Sequence, residues 1–182
     1  MDVLIISGSP RKNKNCEKLA EYAKEKLIGY GLKVKILKLS ELHISACNAC
    51  NYCKEKFECK IKDDMQKVYE DLINAKALLI ISPTYFGNVS AQLKAFMDRT
   101  LVLRRNNFML KDKFGGAIAI GGSRNGGQEF VINAIHNFFH IHGMIPLGDD
   151  AHFGGILYGS AEDRIGLKTV DNLLLKIRRL LH

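Results

Sequence analysis

Three runs of consecutive apolar residues constrain the fold most: DVLII at 2–6, AKALLIIS at 75–82 and KFGGAIAIGG at 113–122. Successive side chains of a strand point to opposite faces, so a run that is apolar at every position needs cover on both sides. Helical periodicity fills the intervals. Leu19, Ala20, Ala23, Leu27 and Ile28 recur at helical spacing within 15–31, and Gly29 and Gly31 offer a stop. KVKILKL at 33–39 alternates Val34 and Ile36 against lysines and reads as a second strand. Asp63 and Asp64 open a helix through Met65, Val68, Leu72 and Ile73, their carboxylates meeting the free N–H groups of its first turn. A third helix covers 89–101 with Asn88 or Ser90 as cap, a fourth lies within 125–143, MIPL at 144–147 is a short fifth strand, and a closing helix runs from Ser160, its expected cap. Five strands alternating with five helices predict an α/β fold, a doubly wound five-stranded parallel sheet of order 2-1-3-4-5. A cysteine-rich segment, residues 47–59, is inserted after the second strand.

At 182 residues, 47% hydrophobic and 25% charged, the chain can bury a core of its own, and one domain over 1–182 is expected. No run of eighteen apolar residues occurs, and MDVLIISGSP carries neither a basic leader nor a small-residue cleavage site. The expected location is the cytoplasm, with no membrane partner. A net charge of +8 suits an anionic partner. The lysines and arginines are scattered over helix faces, and Arg178 and Arg179 suit a helix C-terminus. A solvated basic surface is therefore preferred to a nucleic-acid stripe.

In open α/β sheets a ligand lies beyond the carboxyl ends of the strands, where strand order reverses. Three unusual loops belong there: SGSPRKNKNC after strand one, SPTYFGN after strand three and GGSRNGG after strand four. The first combines Gly8, the hydroxyls of Ser7 and Ser9, the cation of Arg11, the amides of Asn13 and Asn15, and a helix N-terminus. Such a set binds a phosphate monoester; the other possibility is a turn that merely caps its helix. Neither G-x-x-x-x-G-K-[ST] nor G-x-G-x-x-G is present, which disfavours triphosphates and the usual dinucleotide mode. Pro83, Tyr85 and Phe86, with the glycines around Ser123, Arg124 and Asn125, would let backbone and an aromatic approach a flat ring. Phosphate at one end and a planar heterocycle at the other describe a mononucleotide such as FMN.

These segments resemble the flavin-contacting segments of the NADPH-dependent FMN reductase-like branch of flavodoxin-fold proteins. Cys47, Cys50, Cys53 and Cys59 followed by IKDDM resemble the iron-sulfur flavoprotein subgroup. The resemblance implies a flavodoxin-like sheet and an FMN site. Its phosphate part would use Ser7, Ser9, Arg11, Asn13, Asn15 and Cys16, its ribityl and ring part Pro83, Thr84, Tyr85, Phe86, Gly87 and Asn88, and its third loop Gly122, Ser123 and Gly126. Cys16 departs from the family, where threonine or serine is usual, so a hydroxyl contact is lost. The resemblance further implies a homo-oligomer, a dimer or dimer of dimers, in which one subunit's cluster lies near a neighbour's flavin.

Four cysteines within thirteen residues of a chain with only one other admit a disulfide, zinc, free thiols or an iron-sulfur cluster. An odd count and a reducing compartment argue against a disulfide framework. Zinc held by four cysteines usually takes two C-x-x-C pairs separated by a longer span. The x2, x2 spacing fits a loop around one cubane, and the fourth cysteine after five intervening residues makes a self-contained [4Fe-4S] site the better fit, with Cys47, Cys50, Cys53 and Cys59 as ligands. Lys54, Lys56, Lys60 and Lys62 would offset an anionic cluster or steer an acidic redox protein. His136 and His140 stand four apart but lack a third ligand, and are assigned to packing. Cys16 reads as a helix-start residue whose position would lower its pKa. No residue reads as a general acid, base or nucleophile. The expected function is electron transfer by FMN and [4Fe-4S] between one-electron carriers and a two-electron acceptor, with ferredoxin or a small-molecule acceptor as partner. The alternatives are a clusterless NAD(P)H-dependent FMN or quinone reductase and a zinc-bearing nucleic-acid-binding module.

Overall fold

A computed structural model describes all residues 1–182. The strands are β1 (Val3–Ser7), β2 (Val34–Lys38), β3 (Ala77–Pro83), β4 (Phe114–Gly121), β5 (Ile145–Leu147) and β6 (Gly155–Tyr158). The helices are α1 (Asn15–Gly29), α2 (Tyr52–Glu55), α3 (Tyr69–Asn74), α4 (Ala91–Arg99), α5 (Leu101–Arg105), α6 (Gln128–Ile141) and α7 (Arg164–Leu181). The sheet is parallel and runs β2-β1-β3-β4-β5, the expected order.

The apolar runs explain the layering. Leu4, Ile6, Leu78, Ile80, Ala117 and Ala119 face one core together with Leu72, Leu93, Phe96, Ile135 and Phe139. Val3, Ile5, Leu79, Ile81, Ile118 and Ile120 face the other, against Leu19, Ala23 and Leu27 of α1 and Val170, Leu173 and Ile177 of α7. Alternate residues of the same strands thus fill two separate cores, so strand order and two-sided cover come from one pattern.

Three boundaries differ from expectation. The fifth sheet position is built by two strands: β5 pairs with Phe114–Gly116 and β6 with Ile118–Gly121. Residues 148–154 bulge out between them, held by the buried Asp149, whose Oδ1 accepts Ala151 N at 3.0 Å and also His152 N. The helix expected from Asp63 is a 3-10 turn, Asp64–Lys67, leading into α3; Asp63 caps it and Gln66 completes a capping box. α7 is capped by Asp163 rather than Ser160. Asp163 Oδ1 accepts Ile165 N at 3.1 Å, while Ser160 Oγ accepts Glu162 N in the preceding turn. Ser90, of the two caps considered for α4, is the one used. No helix is long and apolar enough to cross a membrane.

Candidate functional site

β1 ends at Ser7, and its chain turns at Gly8, whose N–H donates to Ile81 O at 2.7 Å. A Cβ at Gly8 would stand 2.9 Å from Leu93 Cδ2, so only glycine lets the turn lie this close to α4. Ser90 Oγ donates to Gly8 O and accepts Leu93 N, which ties the first loop to the start of α4. Ser9 Oγ accepts Arg11 N at 3.1 Å, and Arg11, Lys12, Asn13 and Lys14 are exposed around the open first turn of α1. That turn has no side-chain cap, and although Glu17 N–H donates to Lys14 O, the N–H groups of Asn15 and Cys16 remain available to an anion.

Glu17, buried in the first turn of α1, was not among the expected site residues. Its Oε2 accepts Asn13 N at 2.8 Å, and its Oε1 accepts the Ser40 hydroxyl at 2.5 Å. Asn13 is thereby held in a left-handed conformation, φ 54°. The sequence signal was present: a glutamate at the third helical position is where a side chain reaches back to the residues before a helix. Asn15 donates to Gly159 O at 3.2 Å, joining the loop to the end of β6. Cys16 is buried, and burial pushes its thiol up to about 12, the opposite of the expected lowering. Desolvation outweighs nearby Arg11 and the hydrogen bond with Ser9, both of which act to lower it.

The second loop is a tight hairpin. Tyr85 and Asn88 exchange backbone hydrogen bonds of 3.0 Å, while Phe86 and Gly87 take φ 50° and 67° between them, a two-residue turn with two left-handed centres. Phe86 projects fully into solvent. Gly87 meets the third loop at Gly127, whose φ is 96° and where a Cβ would stand 2.9 Å from Gly87 Cα. Gln128, a second residue that was not anticipated, donates through Nε2 to Ser123 O at 2.8 Å and packs directly on Gly121. It braces the loop carrying Gly122, Ser123 and Gly126. We expect Gly127→Ala to cost about 1–3 kcal/mol from the left-handed backbone alone, read as a fall in Tm of about 2–4 °C per kcal/mol.

The cysteine segment lies elsewhere, on the α3, α4 and α5 side. Cys47 and Cys50 are exposed; Cys53 and Cys59 are half-buried. Cys53 Sγ accepts Arg105 Nη1 at 3.2 Å, and Arg105 Nη2 donates to Asn51 Oδ1 at 3.0 Å. Cys47 lines a groove with Met97, Leu101 and Phe138, whereas Cys59 lines a separate hollow with Tyr69, Ile73 and Val102. No three metal-ligating side chains converge anywhere in the chain. His136 is half-buried with its ring 6.2 Å from that of Phe139, and burial lowers its pKa.

An open, doubly wound parallel sheet of order β2-β1-β3-β4-β5, with three loops meeting at its switch point, defines a flavodoxin-like fold. The structure overlays on a WrbA-like flavodoxin from Agrobacterium tumefaciens with a TM-score of 0.67, at 17% identity, covering 98% of this chain and 94% of that one. Residues 1–156 match the NADPH-dependent FMN reductase family. An iron-sulfur flavoprotein of Methanosarcina thermophila is 46% identical over 97% of this chain and 93% of its own length. Another, of Methanocaldococcus jannaschii, is 44% identical over 97% and 95%. The chain belongs to the iron-sulfur flavoprotein group of the NADPH-dependent FMN reductase family.

Proposed function

We propose that the chain is a redox flavoprotein that holds FMN across the tips of β1, β3 and β4 and passes electrons between one-electron carriers and a two-electron acceptor. The observation that carries this reading is the meeting of three loops at one sheet end. Ser7 Oγ and Thr84 Oγ1 are buried there without hydrogen-bond partners, and an orphaned buried hydroxyl is costly unless a ligand completes it. Gly87 and Gly127 bring the second and third loops into direct backbone contact, a Cβ on Gly127 standing 2.9 Å from Gly87 Cα. The residues therefore fit a phosphorylated, flat-ringed group: Ser9, Arg11, Asn13, Asn15 and the N–H groups near Cys16 toward the phosphate, and Pro83 to Asn88 with Gly122, Ser123 and Gly126 toward the ribityl chain and ring. Bound FMN supplies the exchange of electrons singly or in pairs, and the protein supplies position and tuning.

The finer part of the proposal is a [4Fe-4S] cluster at Cys47, Cys50, Cys53 and Cys59. The spacing and the names of the relatives support it. The donor set fits in kind and number, while its placement does not, because Cys47 and Cys59 face separate hollows. That placement favours a second reading, a clusterless NAD(P)H-dependent FMN or quinone reductase. Lys54, Lys56, Lys60 and Lys62 present positive charge to an acidic redox protein such as ferredoxin. Assembly as a homo-oligomer belongs to the same proposal, since Phe86, Phe130 and Ile141 stand exposed and a second copy would cover them.

Anaerobic reconstitution with ferrous iron, sulfide and FMN tests the proposal. We expect one FMN and about four iron atoms per chain, with a brown rather than yellow product. A yellow protein without iron would transfer the function to the reductase reading, and a colourless one would remove both.

A further inference from the structure

Arg99, the last residue of α4, has a wholly buried side chain, 0% exposed, yet it belongs to none of the three loops above. Its guanidinium spans the two roots of the cysteine segment. Nη1 donates to Ser45 O at 2.9 Å and to Asp63 Oδ2 at 2.6 Å; Nη2 donates to Ile61 O at 3.1 Å and to Asp63 Oδ1 at 3.0 Å. Asp63 also accepts Ser45 N at 2.9 Å. Gln66 adds a second tie, donating to Ile61 O at 2.7 Å and accepting Asp63 N at 2.8 Å. The chain thus enters the segment at Ser45 and leaves it at Ile61 and Asp63 through one side chain.

Apolar side chains could fill this volume at lower cost than a buried ion pair. They could not bond two loop carbonyls and a carboxylate in fixed directions, as a planar fork of donors does. Burial opposes the guanidinium charge, and the hydrogen-bonded carboxylate of Asp63 restores it. At its other end, α4 is capped by Ser90, which is bonded to Gly8 of the first loop. One helix of nine residues, about 13 Å long, therefore carries the phosphate-type loop at its start and the thiol segment at its end.

We propose that Arg99 is the positioning residue of the cysteine segment, fixing both roots of residues 45–63 to the end of α4 and so setting where Cys53 and Cys59 stand relative to the flavin loops. The inference deepens the proposed iron-sulfur reading and rests on it only for iron uptake; the clasp itself is a statement about the metal-free chain.

The test is pulsed iodoacetamide labelling of the full-length, metal-free protein under anaerobic conditions, mapped cysteine by cysteine, in wild type, Arg99→Lys and Arg99→Met. Cys53 and Cys59 are expected to label about tenfold faster in Arg99→Met, the effect of a change of about 1.4 kcal/mol in local opening. Cys16, buried in the opposite core, is expected to stay protected. Arg99→Lys keeps the charge but cannot span both roots, so it should fall between the two. General destabilisation would release Cys16 together with the others, which separates positioning from mere loss of stability. If Arg99→Met does not fold, Arg99→Lys alone decides. Wild-type rates at Cys53 and Cys59 in every folded variant, or Cys16 rising in step with them in Arg99→Lys, would overturn the inference. In a parallel arm with ferrous iron and sulfide, the wild type should take up iron and Arg99→Lys less. A wild type that takes up none removes the cluster reading and leaves the labelling to judge Arg99.

Discussion

Asp63→Ala is expected to cost about 3–5 kcal/mol at neutral pH, the penalty for stranding one member of a buried ion pair. Asp63 is 5% exposed and Arg99 0%, so water cannot replace the lost partner. The carboxylate also accepts Ser45 N and Met65 N, and both donors would be orphaned with the cation. Burial by itself would raise the Asp63 pKa, but Arg99 and those two N–H groups outweigh it and hold the group at about 2, below its ordinary 3.8. A depressed carboxyl contributes stability that is present above its unfolded pKa and disappears as pH falls through the folded one. The wild type should therefore lose about 2 kcal/mol from this group between pH 4 and 2. Asp63→Ala should lack that component of the slope, while both proteins share the part due to Asp2, Asp149 and Asp150, whose pKa values are also lowered. Urea unfolding at pH 7 and across the acid range measures both effects. A neutral-pH loss below about 1 kcal/mol, the scale of an exposed pair, would show that this ion pair is not sealed from solvent.

That pair also shows where a sequence stops being informative. Asp63 is legible locally as a cap, and it does cap the turn at Asp64–Lys67. Its partner stands on another helix thirty-six positions away, and no periodicity marks that relation. The strand order was legible because each central strand declares its two-sided burial at every position. β6 was not, since GILY lies between Gly154 and the turn at Gly159 and completes a sheet position that MIPL seemed to fill. The three loops at the switch point were readable from their glycines, hydroxyls and aromatics. Ser90 was legible as a helix cap, but Glu17 and Gln128, which also brace the loops, were harder to see, because a buried polar residue is written in sequence like an exposed one. Cys16 shows the same limit: a helix N-terminus is visible in sequence, whereas the burial that overrides its effect on the thiol is not.

Glu17 provides the second large effect. Beneath the loop proposed to hold the phosphate, a buried carboxylate would act in two opposed ways: its charge would repel the phosphate, and its hydrogen bond to Asn13 N would hold the loop in the shape proposed to receive one. Lys38 Nζ, 3.9 Å from Oε2, offsets part of the charge, so shape should dominate. Glu17→Ala removes both contacts and frees Asn13 from its left-handed conformation. The loss of charge-assisted hydrogen bonds worth about 1.5–3 kcal/mol should weaken FMN binding about tenfold to a hundredfold. Riboflavin, which has the ring and ribityl chain without the phosphate, should bind both proteins alike. Glu17→Gln keeps an oxygen for Asn13 N while removing the charge, so its FMN affinity should match or exceed wild type. Titration by flavin fluorescence quenching gives all the constants in one assay. If Glu17→Ala weakened FMN and riboflavin equally, the loop after β1 would not be where the phosphate is held, and the shared orientation of three loops around one mononucleotide would have to be abandoned.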